Sequence, residues 1–182
     1  AKAAEVLNSP AALPMLDATS FGRGKHMLAV LQQPPANFVG WRTFSQIEGA
    51  GPETARQIAE LLGELVVEVG DVADLVGNYA SKLEPLLKRG TQGASALSQT
   101  RTTLTAALAL LRPEEAIVIK TQIMQRGARL LLGRPLFRSA VIGATEYRDL
   151  LALSEAIFAV MRDDWHWEPK DLWDVQGFLW VT

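Results

Sequence analysis

Apolar residues recur every three or four positions along most of the chain, and this spacing is typical of amphipathic helices. The alternation that marks a half-buried strand is nowhere sustained. The pattern predicts an irregular N-terminal segment over residues 1–24, apart from one or two helical turns within 1–7. It then predicts helices over residues 25–31, 38–48, 52–69, 72–90 with an end or kink at 85, 95–111, 113–131, 145–161 and 170–181. Residues 136–142 fit helical turns and a short extended piece equally well. We therefore predict an all-α fold, a compact multi-helix bundle forming a single domain over residues 1–182, with its helical core at 25–182 and no substantial sheet.

The same spacing predicts which side chains face the core. From the second helix, Trp41 and Phe44 are expected to point inward together with Phe38. The sixth helix is expected to bury a stripe formed by Ile117, Thr121, Met124, Ala128 and Leu131. The last helix is apolar on nearly every side, so we expect it to be covered either by the rest of the bundle or by a further domain of a longer chain.

Helix start and stop signals support these boundaries. Asp71 suits an N-cap, and Pro52 suits the first position of the third helix, where its missing N–H costs nothing. Pro85 is expected to end or kink the fourth helix. Pro113, followed by two glutamates, predicts the start of the sixth helix, and Gly133 its end.

The composition narrows the protein class. The chain has 182 residues, of which 48% are apolar, so it can bury a substantial core. It contains no cysteine, which excludes disulfides, thiolate metal sites, iron–sulfur clusters and cysteine nucleophiles. No apolar run reaches the roughly 18 to 20 residues that span a bilayer, and the first residues lack the order of a signal peptide. We therefore expect a cytoplasmic protein that has no membrane partner.

The charge balance points to a local rather than a general anion-binding surface. The formal net charge is −2 and the sequence pI is about 5.7, which argues against a protein whose whole surface binds phosphate. One basic segment contains no acidic residue, and its cations are Lys120, Arg126, Arg129, Arg134 and Arg138. On a helix, Arg126 and Arg129 fall opposite the predicted inner stripe, so both should be exposed. This segment either binds several phosphates or is a solvated face that balances the glutamate-rich third helix.

Residues 44–59, FSQIEGAGPETARQIA, form a second candidate. Gly49 and Gly51 bracket Ala50 where the backbone must reverse, which needs residues that tolerate a positive φ. The stretch resembles the helix-hairpin-helix motif of DNA repair and recombination proteins. That resemblance implies that the amides of Gly49, Ala50 and Gly51 and the start of the next helix bind phosphate without reading bases.

Two departures from that motif affect the prediction. Glu48 stands where the family often has proline, and Glu53 adds a second carboxylate beside the phosphate site that the resemblance implies. Both oppose anion binding, whereas Arg56 and Arg42 would compensate if they pointed the same way. The alternative is a purely structural hairpin that packs two helices.

The C-terminal segment 167–181, WEPKDLWDVQGFLWV, is similar to a segment of bacterial restriction and defence proteins of the McrB type. The resemblance implies a recognition or interaction domain of such a system and not its motor. The tryptophans of this region are expected to anchor a partner protein or an adjacent domain. They are Trp165, Trp167, Trp173 and Trp180.

The sequence contains no clear motif for catalysis or metal binding. Residues 22–26, GRGKH, superficially resemble a phosphate-binding loop but lack its earlier glycine and the Ser or Thr after the lysine. His26 and His166 are not in the spacing of helical metal ligands. The acidic residues around His166, which are Asp163, Asp164 and Glu168, fit either a divalent-cation site or a polar turn, and no serine has a partnered histidine. We expect no catalytic residue, metal or cofactor, although the domain can belong to a larger enzyme.

Two functional hypotheses follow. The first is a non-catalytic DNA-binding or DNA-sensing module of a bacterial restriction or antiphage protein, which uses the hairpin and the basic segment. The second is a helical assembly domain that holds a partner protein through its tryptophan-rich surfaces without contacting DNA. A basic face beside the hairpin favours the first, and an apolar face favours the second.

Overall fold

The computed structural model describes residues 19–32, 39–89, 95–137 and 141–181. For residues 95–99 it describes the backbone only. These ranges contain helices and connecting segments but no strand, so the predicted all-α class is confirmed. The elements in chain order are α1 (Ser20–Gln32), α2 (Trp41–Gly49), α3 (Pro52–Val67), α4 (Val72–Arg89), α5 (Ser95–Leu111), α6 (Thr121–Leu132), α7 (Ala144–Ala159), a π-helix (Val160–Asp164) and α8 (Leu172–Val181). Within the described ranges, no helix is both long enough and apolar enough to cross a membrane.

Helix α4 packs against α3, α5 and α7 and organises the core. Its apolar stripe faces the core, since all five members are buried: Val72, Leu75, Val76, Tyr79 and Leu83. Asp71 caps the helix as predicted, because its Oδ1 accepts the N–H of Asp74 at 2.9 Å. Pro85 does not end α4, which continues to Arg89.

Helices α1 and α3 lie so close together that their backbones touch. A Cβ on Gly63 would lie 1.7 Å from the carbonyl oxygen of Ser20, and one on Gly24 would lie 1.6 Å from that of Ala59. Arg23 crosses the same contact and donates from Nε to the carbonyl of Gly63 at 3.1 Å. Only glycine permits this approach.

The prediction of irregular structure up to residue 24 is therefore wrong for residues 20–24. Helix α1 begins at Ser20, and Gly24 lies inside it as a packing position. The stretch GRGKH is helical and does not form a phosphate-binding loop. Residues 1–18 lie outside the described residues.

The predicted sixth helix begins too early. Residues 113–115 form a turn, and α6 starts only at Thr121. Residues 116–120 between them belong to no helix, and the backbone is extended at Lys120, so we call 116–120 the extended segment. Ile117 is buried, but from the extended segment and not from a helical stripe. Met124 and Ala128 face the core as predicted, whereas Leu131 is 53% exposed, so the predicted stripe is wrong at that end.

Buried side chains hold the extended segment in place. The hydroxyl of Tyr147 donates to the carbonyl of Ile117 at 2.9 Å and accepts its N–H at 3.0 Å. The Oγ1 of Thr105 accepts a hydrogen bond from the N–H of Ile119 at 2.8 Å. The hydroxyl of Thr102 donates to the carbonyl of Ile119 at 2.9 Å. Side chains of α5 and α7 thus satisfy the backbone groups of two residues in a segment that is neither helix nor sheet.

Three further predictions have clear outcomes. Phe44 is buried as predicted. Trp41 is 70% exposed, so the inward position predicted for it is wrong. Phe38 lies outside the described residues. Gly133 ends α6 in the left-handed conformation with φ +65°, as its stop signal predicted. Helix α8 buries Leu179 but leaves Trp180 exposed, so the last helix is not covered on every side.

Candidate nucleic-acid interface

The hairpin between α2 and α3 has one left-handed residue. Gly51 has φ +88°, whereas Gly49 is the last residue of α2 and Ala50 is right-handed, so the need for a positive φ is confirmed only at Gly51. The N–H of Ala50 donates to the carbonyl of Gln46 at 3.0 Å, and that of Gly51 to the carbonyl of Glu48 at 3.3 Å. These two amides therefore cap α2, which weakens the grounds for phosphate binding at the hairpin.

The charges around the hairpin do not favour an anion either. Arg56 donates from Nε to Oε1 of Glu60 at 2.9 Å, and this hydrogen bond raises the pKa of Arg56 above its ordinary value. The guanidinium of Arg42 lies over the ring of Trp41, at 5.7 Å from its centroid. Glu53 lies in the first turn of α3 as predicted. Arg56 is thus held beside a carboxylate of its own helix, and the compensation for Glu53 is weak.

The basic face of α6 has a different character. Arg126 and Arg129 are exposed, as predicted, and Arg134 is exposed just after the helix ends. None of these three guanidinium groups has a hydrogen bond or an ion pair within the described part of the chain. Their cationic heads are therefore available to a polyanion.

The two other cations of the basic segment do not extend this face. Lys120 lies at the N-terminal boundary of α6 and is only partly exposed, and its burial lowers its pKa. Arg138 lies outside the described residues. The structure therefore groups Arg126 and Arg129 on one helix face, while Lys120 occupies the junction with the buried extended segment.

Helix α8 places an aromatic ring beside this basic face. The two helices are in close contact, since a Cβ on Gly127 would lie 2.8 Å from Cδ2 of Leu179. Next to Leu179, Trp180 is 60% exposed. Trp180 and Arg126, together with Gln122 and Ile123, line an open depression of about 470 Å³. We call the exposed side chains Gln122, Arg126, Arg129, Leu130 and Trp180 the α6–α8 surface.

The four tryptophans predicted as interface anchors occupy different environments. Trp173 is partly buried and donates from Nε1 to the carbonyl of Ala109 at 3.1 Å, so it ties α8 to α5. Trp165 and Trp167 have ring centroids 5.0 Å apart, and both pack near Phe178. Only Trp180 belongs to the α6–α8 surface.

The π-helix contains an ion pair between two neighbouring residues. Arg162 donates from Nε to Oδ1 of Asp163 at 2.7 Å, and this hydrogen bond lowers the pKa of Asp163. His166 adopts a left-handed conformation with φ +55°. Among the described residues, no three carboxylate or imidazole groups come close enough together to hold a metal ion.

Comparison with protein-family models, with curated proteins and with solved structures finds no match to this chain. The two local resemblances therefore stay predictions, and the function is argued from the side chains alone. Sequence reasoning identified Arg126 and Arg129 as exposed, and it identified Trp180 only as a member of a separate group. No sequence signal joins Trp180 to Gln122 and Arg126, because they lie on different helices that only the tertiary structure brings together.

Proposed function

We propose that this chain is a non-catalytic nucleic-acid-binding module that contacts the phosphates of DNA through the basic face of α6. The observation that carries the proposal is the exposure of Arg126, Arg129 and Arg134 without an ionic partner in the described structure. Arginine binds phosphate through a planar fork of donors, and each neutralised phosphate releases counterions. A local patch of this kind suits a chain whose net charge is −2.

The proposal places DNA on α6 and not on the hairpin. At the hairpin, Arg56 is paired with Glu60 and two of the amides cap α2. On α6 the cations carry no such internal partner within the described ranges. The similarity of residues 167–181 to McrB-type proteins further suggests that the module belongs to a restriction or antiphage system, as its recognition part.

The test compares two double variants that change the net charge equally. Arg126→Glu/Arg129→Glu removes the α6 face, and Arg42→Glu/Arg56→Glu alters the hairpin. Fluorescence anisotropy with a labelled DNA duplex is recorded at several salt concentrations between about 50 and about 200 mM. We expect the α6 variant to weaken binding and to reduce the slope of log K against log salt by about 2, since each lost phosphate contact contributes about 0.9.

The hairpin variant is expected to retain most of the affinity. If it loses binding while the α6 variant does not, the phosphate site lies at the hairpin. If the native chain binds no nucleic acid at low salt, the proposal is wrong for both surfaces. Circular dichroism of each variant establishes that the helices are retained.

A second candidate function is assembly with a partner protein. It is favoured by the exposed leucines beside the basic face, since Leu130 is 68% and Leu131 53% exposed. Exposed apolar side chains that adjoin charged ones are typical of protein interaction surfaces. Sedimentation velocity over a hundredfold concentration range, with and without DNA, tests this function through self-association. Association that Leu130→Ser/Leu131→Ser abolishes and that DNA does not change would favour assembly over nucleic-acid binding.

A further inference from the structure

The depression between α6 and α8 combines three kinds of side chain that nucleotide binding uses. Trp180 is 60% exposed, and it lines the depression together with Arg126. The amide of Gln122 supplies both a donor and an acceptor. None of these three side chains has a hydrogen-bond or ionic partner in the described part of the protein.

The depression is large enough to accept a nucleobase together with part of its sugar. Its volume is about 470 Å³, and it is open to solvent. Ile123 forms an apolar part of its lining, and Trp180 forms the aromatic part. A base stacked on the indole would bury apolar surface, and Gln122 lines the same depression, so its amide is a candidate partner for the edge of the base.

Geometry decides which form of nucleic acid can use this site. In a duplex, both faces of every internal base are stacked on neighbouring bases, so the faces are not available to a protein side chain. An unpaired base exposes its face and stacks readily on aromatic rings. Arginines along the nucleic-acid backbone then bind the adjacent phosphates. Arg129 lies on the same helix as Arg126 and is available to bind one of them.

We infer that the depression lined by Gln122, Arg126 and Trp180 is a nucleotide subsite that takes an unpaired base of single-stranded nucleic acid. This inference rests on the proposed function, because it assigns a ligand form to the same surface. It predicts that single strands bind more tightly than duplexes of equal length. It also predicts that the tighter binding depends on the Trp180 ring.

The experiment uses three labelled probes of equal length: a single strand, an abasic single strand with the same phosphates, and a duplex. Trp180→Ala is expected to weaken binding of the base-containing strand by about tenfold. The abasic strand and the duplex are expected to bind this variant and the native chain equally well. Trp180→Phe keeps a ring and should retain most of the affinity. Single strands of DNA and of RNA, measured separately, distinguish the two sources of unpaired bases.

Trp41→Ala is the matched control, since Trp41 is 70% exposed on α2 and lies outside the α6–α8 surface. This variant should bind all three probes like the native chain. If Trp180→Ala affects the base-containing and abasic strands alike, or if Trp41→Ala causes the same loss, the subsite assignment is overturned. The proposed function survives either result as long as Arg126→Glu/Arg129→Glu still weakens binding. If no probe binds the native chain, both fail together.

Discussion

Tyr147 on α7 satisfies both backbone groups of Ile117, a residue thirty positions earlier in the chain. Its hydroxyl is buried, and burial raises the pKa of Tyr147 well above its ordinary value, so the hydroxyl stays protonated and keeps its donor. The extended segment 116–120 leads directly into α6. The position of the basic face therefore depends on this contact at the centre of the bundle.

We predict that Tyr147→Phe destabilises the protein by about 2 kcal/mol or more, because it leaves a buried N–H and a buried carbonyl of Ile117 without their partner. Tyr79→Phe is the matched control. The hydroxyl of Tyr79 bonds to the carboxylate of Glu68, which is exposed and can be hydrated instead, so we expect a cost of about 1 kcal/mol. Urea denaturation measures both values. Equal losses in the two variants would contradict the role assigned to Tyr147.

The contact between α1 and α3 leads to a second prediction. Gly63→Ala places a Cβ where the backbone oxygen of Ser20 now lies, at 1.7 Å, so the helices must separate. We expect a loss of about 3 kcal/mol, at the upper end of the cost of overpacking. Gly49→Ala is the control, since a Cβ there meets no described atom within 4 Å and its φ is not positive.

The control should be neutral or slightly stabilising, because alanine lowers the entropy of the unfolded chain. Denaturant midpoints of the two variants give the comparison. A Gly63→Ala variant as stable as the native protein would mean that the two backbones are not in contact.

The N-cap of α4 predicts a pH dependence of stability. The pKa of Asp71 is lowered because its carboxylate accepts the N–H of Asp74 and lies 3.1 Å from Nη2 of Arg148. Because the pKa of Asp71 is lower in the folded protein than in the unfolded chain, its charged carboxylate stabilises the folded state. This contribution is complete above the unfolded-state pKa of about 4, and it is lost as the pH falls through the folded-state pKa.

Asp71→Asn keeps an oxygen that can cap the helix but removes the charge. We therefore expect a lower melting temperature at neutral pH and a smaller decrease between about pH 5 and about pH 2. Asp149→Asn, at an exposed position of α7, is the charge-matched control. Thermal melts monitored by circular dichroism measure both. A variant whose melting temperature falls with pH as steeply as that of the native protein would contradict this account.

Two failures of the sequence predictions have the same physical origin. Glycine and proline signals describe local preference, and tertiary contacts outweigh them in both cases. The segment that contains Gly22 and Gly24 is predicted to be irregular, yet Gly24 is a contact of the close packing of α1 on α3 within a helix. Pro113 predicted a helix start, yet the following backbone is held extended by Thr102, Thr105 and Tyr147.

The sequence by itself determined the all-α class, most helix bounds and the exposure of Arg126 and Arg129, because these depend on periodicity and on capping within one element. Only the tertiary structure decided that Trp180 lies beside Arg126, and that Arg56 is paired while the α6 arginines are available within the described chain. Those relationships depend on how one helix packs against another and on which rotamer each side chain adopts there. A repeat of apolar residues along a single helix does not contain that information.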